Sequence, residues 1–198
     1  MKRRWAVLVM IAAVVLAGGS IAAAQSAAEF FPLADGNWWS YTGSGLELTM
    51  AVEATGAGEF LINTVINGFV VQREYYTYEG DDAIALRREF PQGSFALEPP
   101  QVFLKAPFAP GRQWTWEGRV AGQTARMTFV VLEPETVETP AGTFEALPVA
   151  VDGVVDGEEV HTMRWFASGV GMIREQAQVA QGEQVILIDL VLADYHVQ

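Results

Sequence analysis

The sequence predicts an all-β, mainly antiparallel fold. Two observations carry this. Runs rich in β-branched and aromatic residues are separated by two-residue turn signals at strand-length intervals, and no segment sustains a helical period with caps. A third observation concerns stability: the 198 residues contain no cysteine, so a packed core rather than disulfides must hold the fold together.

The chain opens on MKRRWAVLVMIAAVVLAGGSIAAAQ. Lys2, Arg3 and Arg4 form a basic start, Ala6 to Ala17 an apolar run, and Ala22-Ala23-Ala24 a small-residue cleavage site. This is the grammar of an export signal, with cleavage expected after Ala24. A retained anchor is the alternative, since Ala6 to Ala24 could just span a bilayer at ~1.5 Å per residue. Gly18, Gly19 and Ser20 interrupt the run and favour cleavage. The expected organisation is therefore a signal helix over 1–24 and one β-domain over 25–198, without an integral membrane span in the mature chain. A domain of that length buries roughly 70 % of its unfolded surface.

Loss of Lys2, Arg3 and Arg4 deepens the formal charge from −12 to −15. Such a surface repels phosphate backbones and anionic headgroups, which excludes nucleic acid as a partner and adsorption through a basic face. Export places the protein in the periplasm, at the cell envelope or outside the cell.

Strand signals follow in order. Phe60–Ile66 reaches Asn67-Gly68 and returns as Phe69–Tyr76. Asn-Gly between β-rich runs marks a hairpin because both turn positions need positive φ. Glu79-Gly-Asp-Asp82 and Ala121-Gly122 read as further turns. Asp156-Gly157 joins Ala146–Val155 to Glu158–Phe166, and Gln181-Gly182 joins Met172–Ala180 to Glu183–Asp194. About ten strands are expected. Pro91 to Gly111 holds five of the nine prolines and interrupts the rhythm. Proline cannot donate to a ladder, so this stretch is expected as a packed, extended crossover wrapping an edge or an end of the sheet.

Four local patterns occur in sequence: FPLADGNWWSY (31–41), PPQVFLKAPFAPGRQWTW (99–116), VETPAGTFEALPV (137–149) and RWFASGVGMIREQ (164–176). Together they resemble the TapB-like proteins and related domains of unknown function among bacterial exported β-proteins. TPAGTF and WFASGVG are the most specific parts. The resemblance implies a single strongly curved antiparallel sheet or half-barrel, similar to LolA-type lipoprotein carriers, and it implies no catalytic residues. Physically, Pro140-Ala141-Gly142 suits a tight turn, and Gly169 and Gly171 suit a sharp bend or close backbone approach.

Catalytic constellations are absent from the pattern. His161 and His196 are the two histidines, and neither lies near a nucleophile elbow. Two scattered histidines without cysteine do not make a zinc site. Asp152, Asp156, Glu158 and Glu159 are close in sequence, but lack EF-hand spacing and are explained by a turn. With 24 acidic residues, no carboxylate pair can be chosen for hydrolysis. No phosphate-binding loop is present, so neither a metal nor a cofactor is expected.

The aromatic residues carry the remaining functional signal. Trp114 and Trp116 share one strand face, as do Tyr76 and Tyr78, because residues i and i+2 are cospatial. With Trp165 they are the candidate lining of a concave site for an apolar small molecule or lipid. The expected function is a non-enzymatic exported binding module. The alternatives are an envelope structural or protein-interaction module and, third, an unrecognised hydrolase. A cavity of roughly 300 Å³ or more would favour a ligand. A filled core with an apolar surface patch above about 600 Å² would favour a protein partner.

Overall fold

The computed structural model describes residues 25–181 and 184–198. The signal over 1–24 and Gly182 of the Gln181-Gly182 turn lie outside the described residues. The elements are α1 (Ala27–Phe30), β1 (Trp38–Gly43), β2 (Leu46–Gly56), β3 (Glu59–Ile66), β4 (Phe69–Glu79), β5 (Asp82–Phe90) and β6 (Gly93–Leu104). They continue as β7 (Gln113–Val120), β8 (Gln123–Val131), β9 (Glu135–Thr139), β10 (Gly142–Val155), β11 (Glu158–Ala167), β12 (Gly171–Gln181) and β13 (Gln184–His196). No helix among the described residues is long and apolar enough to cross a membrane.

The fold is all-β and antiparallel, as expected. The half-barrel of about ten strands is corrected: twelve strands close into a barrel in the order β11-β12-β13-β1-β2-β3-β4-β5-β6-β7-β8-β10, with β10 pairing back to β11. The thirteenth strand, β9, pairs with the first residues of β10 outside this ring. Two joins are non-sequential. β13 meets β1, with Trp38 opposite His196 and Thr42 opposite Val191, and β10 meets β8 across the β9 excursion. Neither join leaves a local mark on the sequence, and full closure removes the free edges that a half-barrel would expose.

The hairpins match their turn chemistry. Asn67-Gly68, Ala121-Gly122 and Asp156-Gly157 all have both residues at positive φ. This is the arrangement whose twist agrees with that of the flanking strands. The tips joining β1–β2, β3–β4, β5–β6, β7–β8 and β10–β11 gather at one end of the barrel.

The opposite end is plugged. Ala27 N–H donates to Asp81 O at 2.9 Å, Phe108 N–H to Gln25 O at 2.9 Å, and Gly169 N–H to Glu29 O at 2.8 Å. These bonds hold α1 across the barrel so that Phe30 and Phe31 are buried within it. Phe30 contacts Phe108 at 4.7 Å between centroids, and Phe31 contacts Phe103 at 4.9 Å and Tyr76 at 5.1 Å. Aromatic rings at these separations gain attraction beyond simple burial.

The proline crossover is also corrected. Its centre is β6, a strand of the ring rather than a wrap over an edge. Pro99 and Pro100 fit because the ladder is sparse there. β6 registers with β7 at Leu97↔Val120 and Glu98↔Arg119, and its register with β5 breaks between Ala85 and Arg87. A missing N–H costs little where no ladder partner waits.

Candidate functional site

Side chains paired directly across antiparallel strands share a face. The pairs Trp39↔Met50, Met50↔Thr64, Thr64↔Gln72 and Glu74↔Arg88 therefore run along one wall of the barrel interior. Arg164↔Glu175 and Glu175↔Leu190 continue it from the other side of the β13–β1 join. Above the aromatic plug these residues enclose a cavity of about 240 Å³. Its volume falls below the 300 Å³ expected of a drug-sized site and restricts it to a small occupant.

The cavity has two chemistries. Trp39, Tyr41, Leu48, Met50 and Leu190 form an apolar wall, and Phe31, Tyr76, Phe103 and Met172 its floor. The polar atoms of the wall aromatics are already used: Trp39 Nε1 donates to Val170 O at 2.6 Å, and Tyr41 Oη donates to Met172 O at 2.8 Å. Burial and the nearby Glu175 push the Tyr41 hydroxyl well above its ordinary pKa, so it stays protonated.

Two ion pairs flank the apolar wall. Arg88 Nε donates to Glu74 Oε1 at 2.8 Å on β5 and β4. Arg164 donates from Nε at 3.2 Å and from Nη2 at 3.1 Å to Glu175 Oε1 on β11 and β12. The four side chains retain between 13 % and 26 % of their exposure, so the cavity opens to solvent. Tyr76 lies between the pairs. Burial raises its hydroxyl pKa well above the usual value; Glu74 adds to the rise, and Arg88 and Arg164 oppose it. Burial alone would lower the pKa of Arg164, but Glu175, Tyr76 and Glu74 together hold it above its ordinary value.

Of the five sequence candidates, Tyr76 lines this cavity. Tyr78 secures the plug instead: its hydroxyl donates to Phe31 O at 2.5 Å and accepts from Leu33 N–H at 2.9 Å. Trp114 and Trp116 are buried at the sparse β6–β7 seam, where their indole N–H groups donate to Val102 O at 2.9 Å and Pro99 O at 3.0 Å. Trp165 faces away from the interior. It sits beside β9, where its indole N–H donates to Glu135, with the Arg174 guanidinium 5.0 Å from its ring. The shared-face inference for Trp114 and Trp116 holds, but that face meets the seam rather than the cavity.

Sequence reasoning missed Glu74, Arg88, Arg164 and Glu175. Each looks like an ordinary strand charge. The signal available was spacing: Glu74 and Tyr76 share a face, as do Arg164 and Phe166, so a charge alternates in phase with buried aromatics. The expected close approach at Gly171 is present. A Cβ there would lie 3.0 Å from Trp39 Nε1, and the residue has φ +111°. Asp152, from the acidic cluster, accepts a hydrogen bond from His161 Nδ1 at 2.7 Å on the outer face.

No protein-family model and no curated protein sequence matches the chain. Two solved structures are similar in fold. One is a candidate lipoprotein from Parabacteroides distasonis, with 13 % identity and a TM-score of 0.42 over 87 % of this chain and 99 % of that one. The other is a candidate exported protein with a YmcC-like fold from Bacteroides fragilis, with 15 % identity and a TM-score of 0.44 over 85 % of this chain and 99 % of that one. A likeness of this strength assigns neither relationship nor activity.

Proposed function

We propose that this is an exported, non-enzymatic binding protein that holds a small amphiphilic molecule inside its barrel. The observation that carries the reading is the 240 Å³ cavity whose apolar wall is flanked by two ion pairs. Export rests on the basic, apolar and small-residue order of 1–24. Kinship with the TapB-like proteins rests on TPAGTF and WFASGVG, whose residues form the β9–β10 and β11–β12 turns. The non-enzymatic reading is supported by the cavity carboxylates. Glu74 and Glu175 are each tied to a guanidinium in a charge-assisted pair, an arrangement that builds a polar wall rather than a free acid–base dyad. The volume favours a single short chain over a diacyl lipid.

The test is native mass spectrometry of protein purified from its own compartment, with organic extraction. A reproducible small-molecule adduct, lost when Met50→Trp fills the cavity, supports the reading. A clean apo mass beside a control protein that keeps its known lipid would sink it.

A second reading, docking to an envelope protein, is favoured by one specific observation. Leu46, Phe69, Val70, Val154, Val185 and Leu187 are exposed, and all lie toward the hairpin end. Phe69 keeps 75 % of its exposure. Polar substitution of Phe69 and Leu187 that abolished capture of one defined envelope partner, while leaving small-molecule binding intact, would support this role.

A further inference from the structure

The two ion pairs limit what kind of head group the cavity accepts. Each pair is one-sided. Glu74 Oε1 takes Arg88 Nε, and Glu175 Oε1 takes both Nε and Nη2 of Arg164. The remaining guanidinium nitrogens and the second oxygen of Glu175 make no further side-chain hydrogen bond among the described residues, while Glu74 is shared with the Tyr76 hydroxyl. Thr64 and Gln72 add a hydroxyl and an amide between Met50 and Glu74. The polar wall therefore offers donors and acceptors in comparable number, and its four charges cancel.

An ion entering this site meets no uncompensated countercharge. Its desolvation is a cost that the existing pairs cannot repay without breaking. A bare anion also enters against the field of a strongly acidic protein. An uncharged head with several hydroxyls avoids both costs. Each hydroxyl both donates and accepts, so it can bridge a guanidinium nitrogen and a free carboxylate oxygen. Its C–H surface can lie on Tyr76 or Phe103. Charged partners also make each such hydrogen bond stronger than a neutral one.

We infer that the cavity selects an uncharged polyol head group carried on a short apolar chain, of the glycerol or monosaccharide class. This rests on the amphiphile reading above and deepens it.

The experiment compares four eight-carbon probes below their micellar concentrations by calorimetry on the wild-type protein: octyl β-glucoside, octanoate, octyltrimethylammonium and octylphosphocholine. The tail is constant, so the ranking reports the head. The glucoside is expected to bind at least tenfold more tightly than the other three, and Met50→Trp to abolish its binding. Tighter binding of any charged or zwitterionic probe overturns the inference while leaving the amphiphile reading intact. Binding by none of the four overturns both. Glucoside binding that survives Met50→Trp in a folded variant places the site outside the cavity and also overturns the inference. In Glu74→Gln/Glu175→Gln, whose cavity carries a net positive charge, octanoate should gain at least tenfold on the glucoside. An unchanged ratio in a folded variant contradicts the electrostatic argument.

Discussion

Replacing both seam tryptophans with phenylalanine tests how the barrel is held shut. β6 and β7 share two registered pairs, Leu97↔Val120 and Glu98↔Arg119, and above them the strands are bridged by the Trp114 and Trp116 indoles. Phenylalanine keeps most of the apolar bulk and removes both donors. Each lost bond costs about 1 kcal/mol net, and each carbonyl left facing a buried edge adds to that, within a 1–3 kcal/mol range. Trp114 also stacks on Phe129 at 5.0 Å, an arrangement that a smaller ring keeps in part. The single variants should each lose roughly 1.5–2.5 kcal/mol, and the double variant roughly 3–5 kcal/mol. That is a large share of the 5–15 kcal/mol typical of a folded domain. Urea unfolding measures the loss, and hydrogen exchange over Gly93–Leu104 should rise well before the rest of the sheet opens. Amphiphile binding by the folded fraction should be unchanged, because neither indole lines the cavity. A double variant within 0.5 kcal/mol of wild type by this measure, with unaltered exchange in β6, would refute the bridging role. Lost binding at unchanged stability would return both residues to the ligand site.

Three further outcomes follow from described contacts. Tyr78→Phe removes the hydroxyl that both Phe31 and Leu33 use, and should cost about 1–3 kcal/mol in urea unfolding, with faster exchange over the Ala27–Phe30 plug; an unchanged midpoint would contradict its role. Gly171→Ala forces a side chain into a positive-φ position 3.0 Å from the Trp39 indole, and should lower stability by about 1–3 kcal/mol with a shifted Trp39 fluorescence. His161 is raised above its ordinary pKa, first by its hydrogen bond with Asp152. Its stabilising contribution is complete below the unfolded pKa and is lost as pH rises through the folded one. Its imidazole NMR titration should therefore move down in Asp152→Asn, and an unmoved titration would remove Asp152 as the cause.

Local features were the legible part of this fold. Asn67-Gly68 and Asp156-Gly157 announce their hairpins because positive φ at both positions has a residue signature. Gly171 announces a close approach for the same reason. Closure was not legible, because the β13–β1 join depends on which distant strands meet, and nothing in Trp38 or His196 specifies the other. β6 was hidden because proline argues against a strand, and the argument fails where neighbouring ladders are interrupted. The site was legible at Tyr76 and not at its charges. Glu74 and Arg164 become partners of the interior through the curvature of the sheet, and alternation alone does not say which face curves inward. Trp114 and Trp116 were recognised as sharing a face, but the sequence carried no sign that their donors replace a ladder.

The β13–β1 join has a consequence for how the chain reaches its native state. Every other neighbour in the ring is a hairpin partner or, for β8 and β10, is separated by one short strand, so most of the sheet can assemble as a meander while the chain is still emerging. The last seam cannot. Trp39 and Tyr41 find their carbonyl acceptors 131 residues downstream, and Gln198 N–H reaches Asn37 Oδ1 at 3.0 Å across 161 residues. Until β13 arrives, the outer side of β1 is an unpaired strand edge and the interior is open to water. A chain delivered from one end to the other therefore spends its whole transit with that edge exposed. The interval between the first strand and the last is when this protein most needs something else to cover β1.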